Sequence, residues 1–226
     1  MVNIKKLNYE ESNKLIFEKV YFTWPNNQNL IIKNCSFSLA SPGLWMLVGK
    51  NGCGKSTLMK LIKGLIQPTS GIIHRPENLS LVFQNPDHQI LMPTCGSELI
   101  LNIKAIFSKK EIDEKVKSCL NSVGLEGFFK RPIHTLSGGQ KQRLAIASSL
   151  ISDSSFVLMD EPTALLDQES RRQILKIIKS LINNQNQPIT VLWITHRLDE
   201  LIYADKVAFM KMGKLSQWQD PKDFKI

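Results

Sequence analysis

A glycine-rich stretch in the first quarter of the chain has residue types and spacing that suit the binding of a phosphate chain. It runs from Gly49 to Ser56 as GKNGCGKS and matches the pattern G-x-x-x-x-G-K-[ST]. Glycines let successive backbone N–H groups converge on an anion, and the start of the following helix adds partial positive charge. Lys55 would reach the β- and γ-phosphates, Ser56 suits Mg²⁺, and Thr57 would donate to the α-phosphate. The predicted nucleotide contacts here are Gly49, Lys50, Asn51, Gly52, Cys53, Gly54, Lys55, Ser56 and Thr57.

Two carboxylates and a histidine follow two further apolar stretches. Asp160 and Glu161 come directly after Phe156–Met159, and His196 follows Ile189–Thr195. We expect Asp160 to hold Mg²⁺ through water, Glu161 to polarise a water aimed at the γ-phosphate, and His196 to orient that water. The plainer alternatives are a solvated acidic turn and a structural histidine. A GTPase is disfavoured because no N-K-x-D motif for reading the base follows the acidic strand.

Apolar stretches that alternate with helical patterns must position these groups. Leu44–Val48, Phe156–Met159 and Ile189–Thr195 are apolar throughout, which is typical of strands covered on both faces. Two leading stretches, Lys14–Trp24 and Ile31–Ala40, alternate apolar and polar residues and predict a smaller antiparallel layer. The sequence therefore predicts an α/β fold with a largely parallel sheet, and ligands bind beyond the carboxyl ends of such strands.

Local signals place the helices and a closing hairpin. Lys55–Lys63 should be a helix that Gly64 ends. A second helix should begin at Ser108, which forms a capping box with Glu111, and end at Gly124, while Asp167 should cap a third. The apolar positions of this third helix are Ile174, Ile178 and Leu181. The strands of the predicted hairpin are Lys206–Met210 and Lys214–Trp218.

Composition narrows the class of protein without deciding the function. The 226 residues are 42% hydrophobic and 22% charged, which excludes a disordered chain and predicts one domain spanning residues 1–226. The N-terminus lacks the apolar core of a secretory signal, and no apolar run is long enough to cross a bilayer. The net charge of +9 suits a solvated basic surface, or contact with an anionic lipid or ligand. Four cysteines without metal spacing predict free thiols: Cys35, Cys53, Cys95 and Cys119.

The stretch Leu136-Ser137-Gly138-Gly139-Gln140 adds a second anion-binding helix start, with a cap, bare backbone and then a helix over Gln140–Leu150. Together with the phosphate loop and Met159-Asp160-Glu161, this LSGGQ stretch resembles the signature of the ATP-binding-cassette ATPases. The resemblance covers nearly the whole chain. It implies a P-loop NTPase core, a small antiparallel β layer and a helical subdomain, at approximately residues 85–150, that carries the signature.

The resemblance also implies ATP and Mg²⁺ as cofactors and assigns further residues. Trp24 falls where the family stacks an aromatic on adenine, although a packing role in the core is the alternative. Gln84 matches a glutamine that contacts Mg²⁺ and water, and Asp167 ends the D-loop, in which Leu165 replaces the usual small residue. In the family, ATP on the phosphate loop of one subunit is closed over by the signature of another. The residues that would act in trans are Ser137, Gly138, Gly139 and Gln140.

One segment is similar to a particular group of these ATPases. Val82–Ile90 reads VFQNPDHQI, close to the FQNPDDQ stretch of the energy-coupling-factor importers of cobalt, nickel and vitamins. The alternative for Val82–Ile90 is the glutamine loop that is common to the whole family. The following segment, Thr94–Leu99, departs from the acidic T-V-E-x-D-V stretch that is usual in the importer ATPases. This resemblance implies a homodimer or heterodimer on the cytoplasmic face of the membrane. It also implies integral membrane subunits, a possible substrate-capture subunit, and no nucleic acid.

Two other classes of function remain as alternatives. A soluble cassette ATPase that acts on nucleic acid or ribosomes would usually carry two cassettes or a long coiled coil, and neither pattern occurs here. A degenerate cassette that serves only in assembly is disfavoured, because Lys55, Asp160, Glu161 and His196 are all present. An ATPase subunit that powers a membrane transporter is the favoured prediction.

Overall fold

The computed structural model of this chain describes residues 14–39, 42–103, 106–184 and 188–224. Within these ranges the chain forms two sheets and a set of helices. The strands are β1 (Leu15–Thr23), β2 (Leu30–Leu39), β3 (Gly43–Val48), β4 (Ser70–His74), β5 (Leu79–Val82), β6 (Phe156–Asp160), β7 (Thr190–Thr195), β8 (Lys206–Lys211) and β9 (Lys214–Leu215). The helices are α1 (Lys55–Ile62), α2 (Cys95–Ile100), α3 (Lys109–Ser122), α4 (Gly138–Leu150) and α5 (Gln168–Ile182).

The larger sheet confirms the predicted α/β architecture. Its strand order is β5-β6-β7-β3-β8-β9, and the pairs are parallel from β5 through β8, with β9 added antiparallel. Successive side chains of the central strands enter two different cores, as the uninterrupted apolar runs predict. On β7, for example, Trp193 belongs to one core while Leu192 and Ile194 belong to the other. The carboxyl ends of β6, β7 and β3 are therefore neighbours at one edge of a rigid layer.

The smaller sheet contains the predicted antiparallel pair and one further strand. Its order is β2-β1-β4, with both pairs antiparallel. β4 was not predicted, because four of its five residues are exposed and no alternation marks it. The two sheets are joined where the N–H of Lys33 on β2 donates to the carbonyl of Gly213 at 2.8 Å. This contact fixes the antiparallel layer against the β8–β9 turn.

The predicted helix signals are confirmed at their ends. Ser108 and Glu111 form the reciprocal capping box of α3, and Asp167 accepts two backbone N–H groups at the start of α5. Gly64, at φ 72°, follows α1 in the left-handed conformation. Ser137 caps the signature helix α4 as predicted, but the helix begins at Gly138, two residues earlier than predicted, because both glycines already have helical backbone.

Some boundaries predicted for the strands were wrong, and some short elements were not predicted. β9 ends at Leu215 instead of Trp218, because Trp218 leaves the ladder and packs edge-on against Trp45, with ring centroids 5.2 Å apart. The short elements β5 and α2 were not predicted either. Ala40, the last residue of the second predicted strand, lies outside the described residues, as does most of the N-terminal segment.

Two expectations about the whole chain concern cysteines and membranes. All four cysteines are free, and burial raises the pKa of the Cys35 and Cys119 thiols to about 12. Across the described ranges, the helices lack the combination of length and apolar content that a bilayer-crossing segment needs.

Candidate functional site

The phosphate loop joins β3 to α1 at the carboxyl edge of the larger sheet. Lys55, the first residue of α1, is only 8% exposed, and its ammonium group donates to the carbonyls of Gly49 at 2.7 Å and Lys50 at 3.2 Å. The lysine therefore folds back over the loop that it follows. Ser56, by contrast, is exposed in the first turn of α1. The loop places a cation, a hydroxyl and a helix N-terminus together, which is an arrangement suited to phosphate.

The three glycines of the loop serve different purposes. Gly52 and Gly54 have φ of 76° and 116°, the left-handed region that side chains disfavour, as predicted. Gly49 does not share this conformation. A Cβ at Gly49 would lie 2.5 Å from the carbonyl oxygen of Met210 and 2.7 Å from the Cys53 sulfur, so glycine is required there by close packing against β8.

The predicted acidic pair and histidine meet beside this loop. Asp160 ends β6 and His196 follows β7, while Glu161 adopts a left-handed φ of 43°. The N–H of Glu161 donates to the carbonyl of Ile194 at 2.8 Å, which fixes this turn to the neighbouring strand. His196 Nδ1 lies 3.0 Å from Glu161 Oε2. Backbone strain of this kind at a non-glycine residue is typical of functional sites.

Burial and the neighbouring carboxylate raise the pKa of Asp160. Burial is the largest cause, and the neighbouring Glu161 carboxylate adds to it, while Lys63 and Lys55 act in the opposite direction. The two carboxylates therefore repel each other in a partly desolvated position. Such a site favours a bound cation, because a divalent ion offsets both causes of the raised pKa.

A magnesium ion fits the donors that the loop and β6 provide. The hydroxyl of Ser56 and the carboxylate of Asp160 are oxygen ligands of the kind that Mg²⁺ takes, with phosphate oxygens and waters completing the shell. Within the described ranges, no group of three or more His, Cys, Asp or Glu side chains is arranged to hold a metal ion. The arrangement suits an ion carried on the nucleotide's phosphates better than an all-protein cage.

Trp24 lies in the turn that follows β1. Its ring is half-buried and packs edge-on against Phe22, with centroids 5.0 Å apart, while Lys60 of α1 places its ammonium group 5.2 Å from the ring centroid. Trp24 is thus connected to the helix that follows the phosphate loop, and part of its surface remains accessible. Both alternatives from the sequence keep support, since the ring packs on Phe22 and also presents area on which a base could stack.

The glutamine segment after β5 is tied to the signature helix. The side chain of Gln84 is exposed, two residues beyond the end of β5, which pairs with β6. The buried amide of Gln142 on α4 donates to the carbonyl of Phe83 at 3.1 Å, and Lys141 pairs with Asp87 at 2.7 Å. Gln89 in turn donates to the carbonyl of Ala145 on α4 at 3.1 Å. The segment and α4 therefore form one connected unit.

Two residues of the signature face outward, and Gly139 is buried. Ser137 and Gly138 are exposed, and the capping box that Ser137 forms with Gln140 is local to α4. Among the described residues, no hydrogen bond joins this stretch to the phosphate loop. The structure thus brings together the strand-end residues, and it presents the signature as a separate anion-binding helix start.

The comparisons with known proteins identify the family. A model described as ABC transporter matches residues 32–164. A relative named ABC transporter I family member 10, from Arabidopsis thaliana, is 42% identical over 84% of this chain and 71% of its own length. A second relative, energy-coupling factor transporter ATP-binding protein EcfA of Methanocaldococcus jannaschii, is 34% identical over 90% of this chain and 78% of its own. The chain belongs to the ABC transporter family.

A solved structure supports the same conclusion on the fold. It is cbiO1 from Clostridium perfringens, described as part of the ABC transporter complex cbiONQ, with a TM-score of 0.86 and 28% identity over 92% of this chain and 89% of that one. These findings confirm the resemblance to ABC ATPases and the P-loop NTPase fold. As a member of the ABC transporter family, the chain is a nucleotide-binding ATPase that powers a membrane transporter.

The structure shows how the predicted helix cap Asp167 is used, and it adds one residue of this ABC ATPase that the sequence did not indicate. The predicted D-loop residue Asp167 uses its carboxylate within the chain, accepting from the backbone N–H groups of Glu169 and Ser170. These bonds, with one from the Ser170 hydroxyl, lower the pKa of Asp167. Glu200 was missed altogether, although it is 2% exposed and lies beside the His196 turn. The sequence offered little signal, since Glu200 stands next to Asp199 in a stretch that looks solvated.

Proposed function

We propose that this ABC ATPase is the ATP-hydrolysing subunit of an energy-coupling-factor-type importer that takes up a metal ion or a vitamin. It works at the cytoplasmic face of the membrane, paired with a second copy or a related cassette. Integral membrane subunits, with a substrate-capture subunit, provide the path and the specificity. The observation that carries the ATPase part is the convergence of Lys55, Asp160 and the Glu161–His196 pair at three neighbouring strand ends.

The chemistry follows from that convergence. The ammonium group of Lys55 leaves the loop carbonyls and neutralises the β- and γ-phosphates, while the backbone N–H groups of the loop hold them. Ser56, Asp160 and Gln84 would hold Mg²⁺, which supplies charge neutralisation on the phosphates when bound. Glu161 acts as general base on the attacking water, and His196, in contact with Glu161, orients that water. Positioning and charge neutralisation supply the rate enhancement.

The second half of the site comes from another cassette. Ser137 and Gly138 are exposed at the start of α4, where Gly138 leaves the backbone bare, and the buried Gly139 follows them. A phosphate bound on a facing subunit would receive N–H groups and the positive end of a helix from this stretch. Asp167 borders the same surface at the start of α5. Hydrolysis therefore requires two cassettes, and each chain contributes one half of each of two sites.

The importer assignment is supported by the segment between β5 and α2. FQNPDHQ is similar to the corresponding stretch of energy-coupling-factor ATPases, and the relative EcfA is named as one. Just beyond it, Leu91 is 76% exposed, and its backbone N–H is held at 2.9 Å by the buried carboxylate of Glu98. An apolar side chain held outward on a fixed backbone suits contact with a membrane subunit.

The test is purification of the tagged full chain from membranes of its source organism, with identification of the associated proteins. We expect a small multi-pass membrane protein and a substrate-capture subunit to co-purify in fixed ratio. Ribosomal or DNA-repair proteins in their place would contradict the importer and favour the soluble alternative. A matched pair of variants localises the contact. Leu91→Asp should no longer co-purify with the membrane protein but should still bind ATP. Leu65, which follows α1, is 67% exposed, and Leu65→Asp should keep both properties.

A further inference from the structure

Glu200 is a buried carboxylate beside the catalytic strand ends. It lies in the 3₁₀ segment Leu198–Tyr203 that follows β7, and it is 2% exposed. Its Oε2 accepts from the Thr195 hydroxyl at 2.8 Å and from the indole N–H of Trp193 at 3.2 Å. Its Oε1 accepts a short hydrogen bond from the Thr163 hydroxyl. The guanidinium Nε of Arg197 lies 3.8 Å from the same oxygen.

The partners of Glu200 flank the residues that carry the chemistry. Thr195 directly precedes His196, and its hydroxyl also accepts the N–H of Arg197 at 3.0 Å, so both neighbours of the histidine are held. Thr163 lies two residues after Glu161 and begins the turn that leads to Asp167 and α5. One carboxylate therefore joins the loop after β6 to the loop after β7. His196 Nδ1 and Glu161 Oε2, 3.0 Å apart, sit on these two loops.

Core stability alone does not explain a carboxylate at this position. Burying a charge is costly unless several donors compensate it, and an apolar side chain of similar volume is often as stable or more so. Here three donors from two separate segments, the loop after β6 and the end of β7, converge on Glu200, and the Arg197 guanidinium lies nearby. A directional network of this kind fixes relative orientation, which an apolar contact does not.

We propose that Glu200 is a positioning residue for ATP hydrolysis, holding the Glu161 loop and the His196 loop in register so that base and orienter meet the same water. The inference rests on the proposed roles of Glu161 and His196. Glu200 does not touch the nucleotide in this scheme and acts through its neighbours. Misplacement of reacting groups by about 1 Å costs on the order of 100-fold in rate, so loosening this register should lower kcat rather than substrate binding.

Kinetics of three variants in the full chain test this inference, with MgATP as substrate. Glu200→Ala should lower kcat by about 10- to 100-fold and leave the KM for MgATP within about twofold. Glu200→Gln should restore most of the rate, because its amide oxygen keeps the bonds from Trp193 and Thr195 while Thr163 reverses its hydroxyl. Thr163→Val removes the link between the loops and takes one donor from Glu200 Oε1, so it should lower kcat together with a modest loss of melting temperature. It decides the question if Glu200→Ala fails to fold.

Asp205→Ala is the matched structural control. Asp205 also accepts a backbone N–H, from Leu44 at 2.7 Å, and pairs with Lys179, but it lies at the opposite end of β3 from the phosphate loop. This variant should lower the melting temperature and keep kcat. If Glu200→Ala and Thr163→Val also melt earlier but retain kcat, Glu200 has only a structural role. That result overturns this inference and leaves the proposed function intact. If the unsubstituted chain hydrolyses no ATP in its assembled transporter, the proposed function fails and this inference fails with it.

Discussion

The two regions that we propose bind phosphate are built in opposite ways. The strand-end region is bonded within the chain, since Lys55 donates to two loop carbonyls and Glu161 contacts His196. The signature region, Ser137 to Gly139, has only its own capping box, and two of its three residues are exposed. One region is folded into the edge of a covered sheet, and the other is the open start of a helix.

This difference indicates which region is complete and which needs a second molecule. Groups that must act on a water need fixed positions, and neighbouring parallel strands supply them. The first turn of a helix has N–H groups without partners inside the helix, and the capping box of α4 uses only some of them, so an exposed start of this kind can bind an anion brought by another molecule. The comparison predicts that substitutions in the first region change chemistry within one chain. Substitutions in the second should change assembly.

Replacement of the proposed base should produce the largest effect. Glu161→Gln removes the carboxylate that faces His196, so kcat should fall by about 10²- to 10⁴-fold while MgATP binding persists. The measurement is steady-state hydrolysis together with binding of a fluorescent ATP analogue. Glu126→Gln, an exposed glutamate in the loop after α3, is the control and should keep its rate. Wild-type turnover by Glu161→Gln would remove Glu161 from the role of base.

The signature region offers a separation of assembly from folding. A Cβ at Gly138 would meet only the side chain of Leu166, at 3.8 Å, so Gly138→Glu should fold normally. Its carboxylate would repel a phosphate on a facing subunit, so ATP-dependent dimerisation should be lost and hydrolysis should fall at least tenfold. Size-exclusion chromatography with ATP, in the Glu161→Gln background, measures the dimer.

The adjacent glycine provides the contrast. A Cβ at Gly139 would lie 2.7 Å from the Ser170 hydroxyl of α5. Unlike Gly138→Glu, the variant Gly139→Ala should therefore lower the melting temperature in addition to weakening the dimer. If Gly138→Glu still dimerises with ATP, the outward-facing helix start has no phosphate to meet, and the two-molecule site is wrong.

The sequence predicted the first region better than the second, for a physical reason. Lys55 and Asp160 follow apolar runs that are typical of covered strands, so the sequence pattern predicts their edge of the sheet. Gln142 and Glu200 are placed by tertiary contacts with Phe83 and Thr163, far away in sequence, and no local periodicity marks them. Short elements such as β4 escaped for the same reason, because pairing with β1 rather than burial pattern defines it.

An aromatic substitution tests whether Trp24 extends the first region to the base. Stacking of a base on an aromatic ring contributes about 1–3 kcal/mol, so Trp24→Ala should weaken ATP affinity by about 5- to 150-fold. The control is Trp218→Ala, because Trp218 packs on Phe37 and Trp45 away from the phosphate loop. That variant should melt earlier and bind ATP normally. Unchanged affinity in Trp24→Ala would make Trp24 a packing residue, which was the alternative from the sequence.

The smallest expected effect is on stability, because placing the carboxylates of Asp160 and Glu161 side by side in the first region destabilises the folded chain. Burial and the neighbouring Glu161 carboxylate raise the pKa of Asp160 above its usual 3.8. Because the folded state favours the protonated carboxyl, stability is fully present below that usual pKa and is lost as pH rises through the raised value. Asp160→Asn should therefore raise the melting temperature by a few degrees at pH 7, without nucleotide or Mg²⁺, and the gain should shrink at acidic pH.

The control for this last variant is a carboxylate that pairs with the signature helix. Asp87→Asn removes an exposed partner of Lys141 on the signature helix, where ion pairs contribute about 1 kcal/mol or less. It should leave the melting temperature unchanged or slightly lower at pH 7, opposite in sign to Asp160→Asn. Differential scanning calorimetry across pH 4 to pH 8 measures both. If Asp160→Asn melts no later than the unsubstituted chain at neutral pH, repulsion between Asp160 and Glu161 does not destabilise the folded chain. The two regions would then not differ in electrostatic cost.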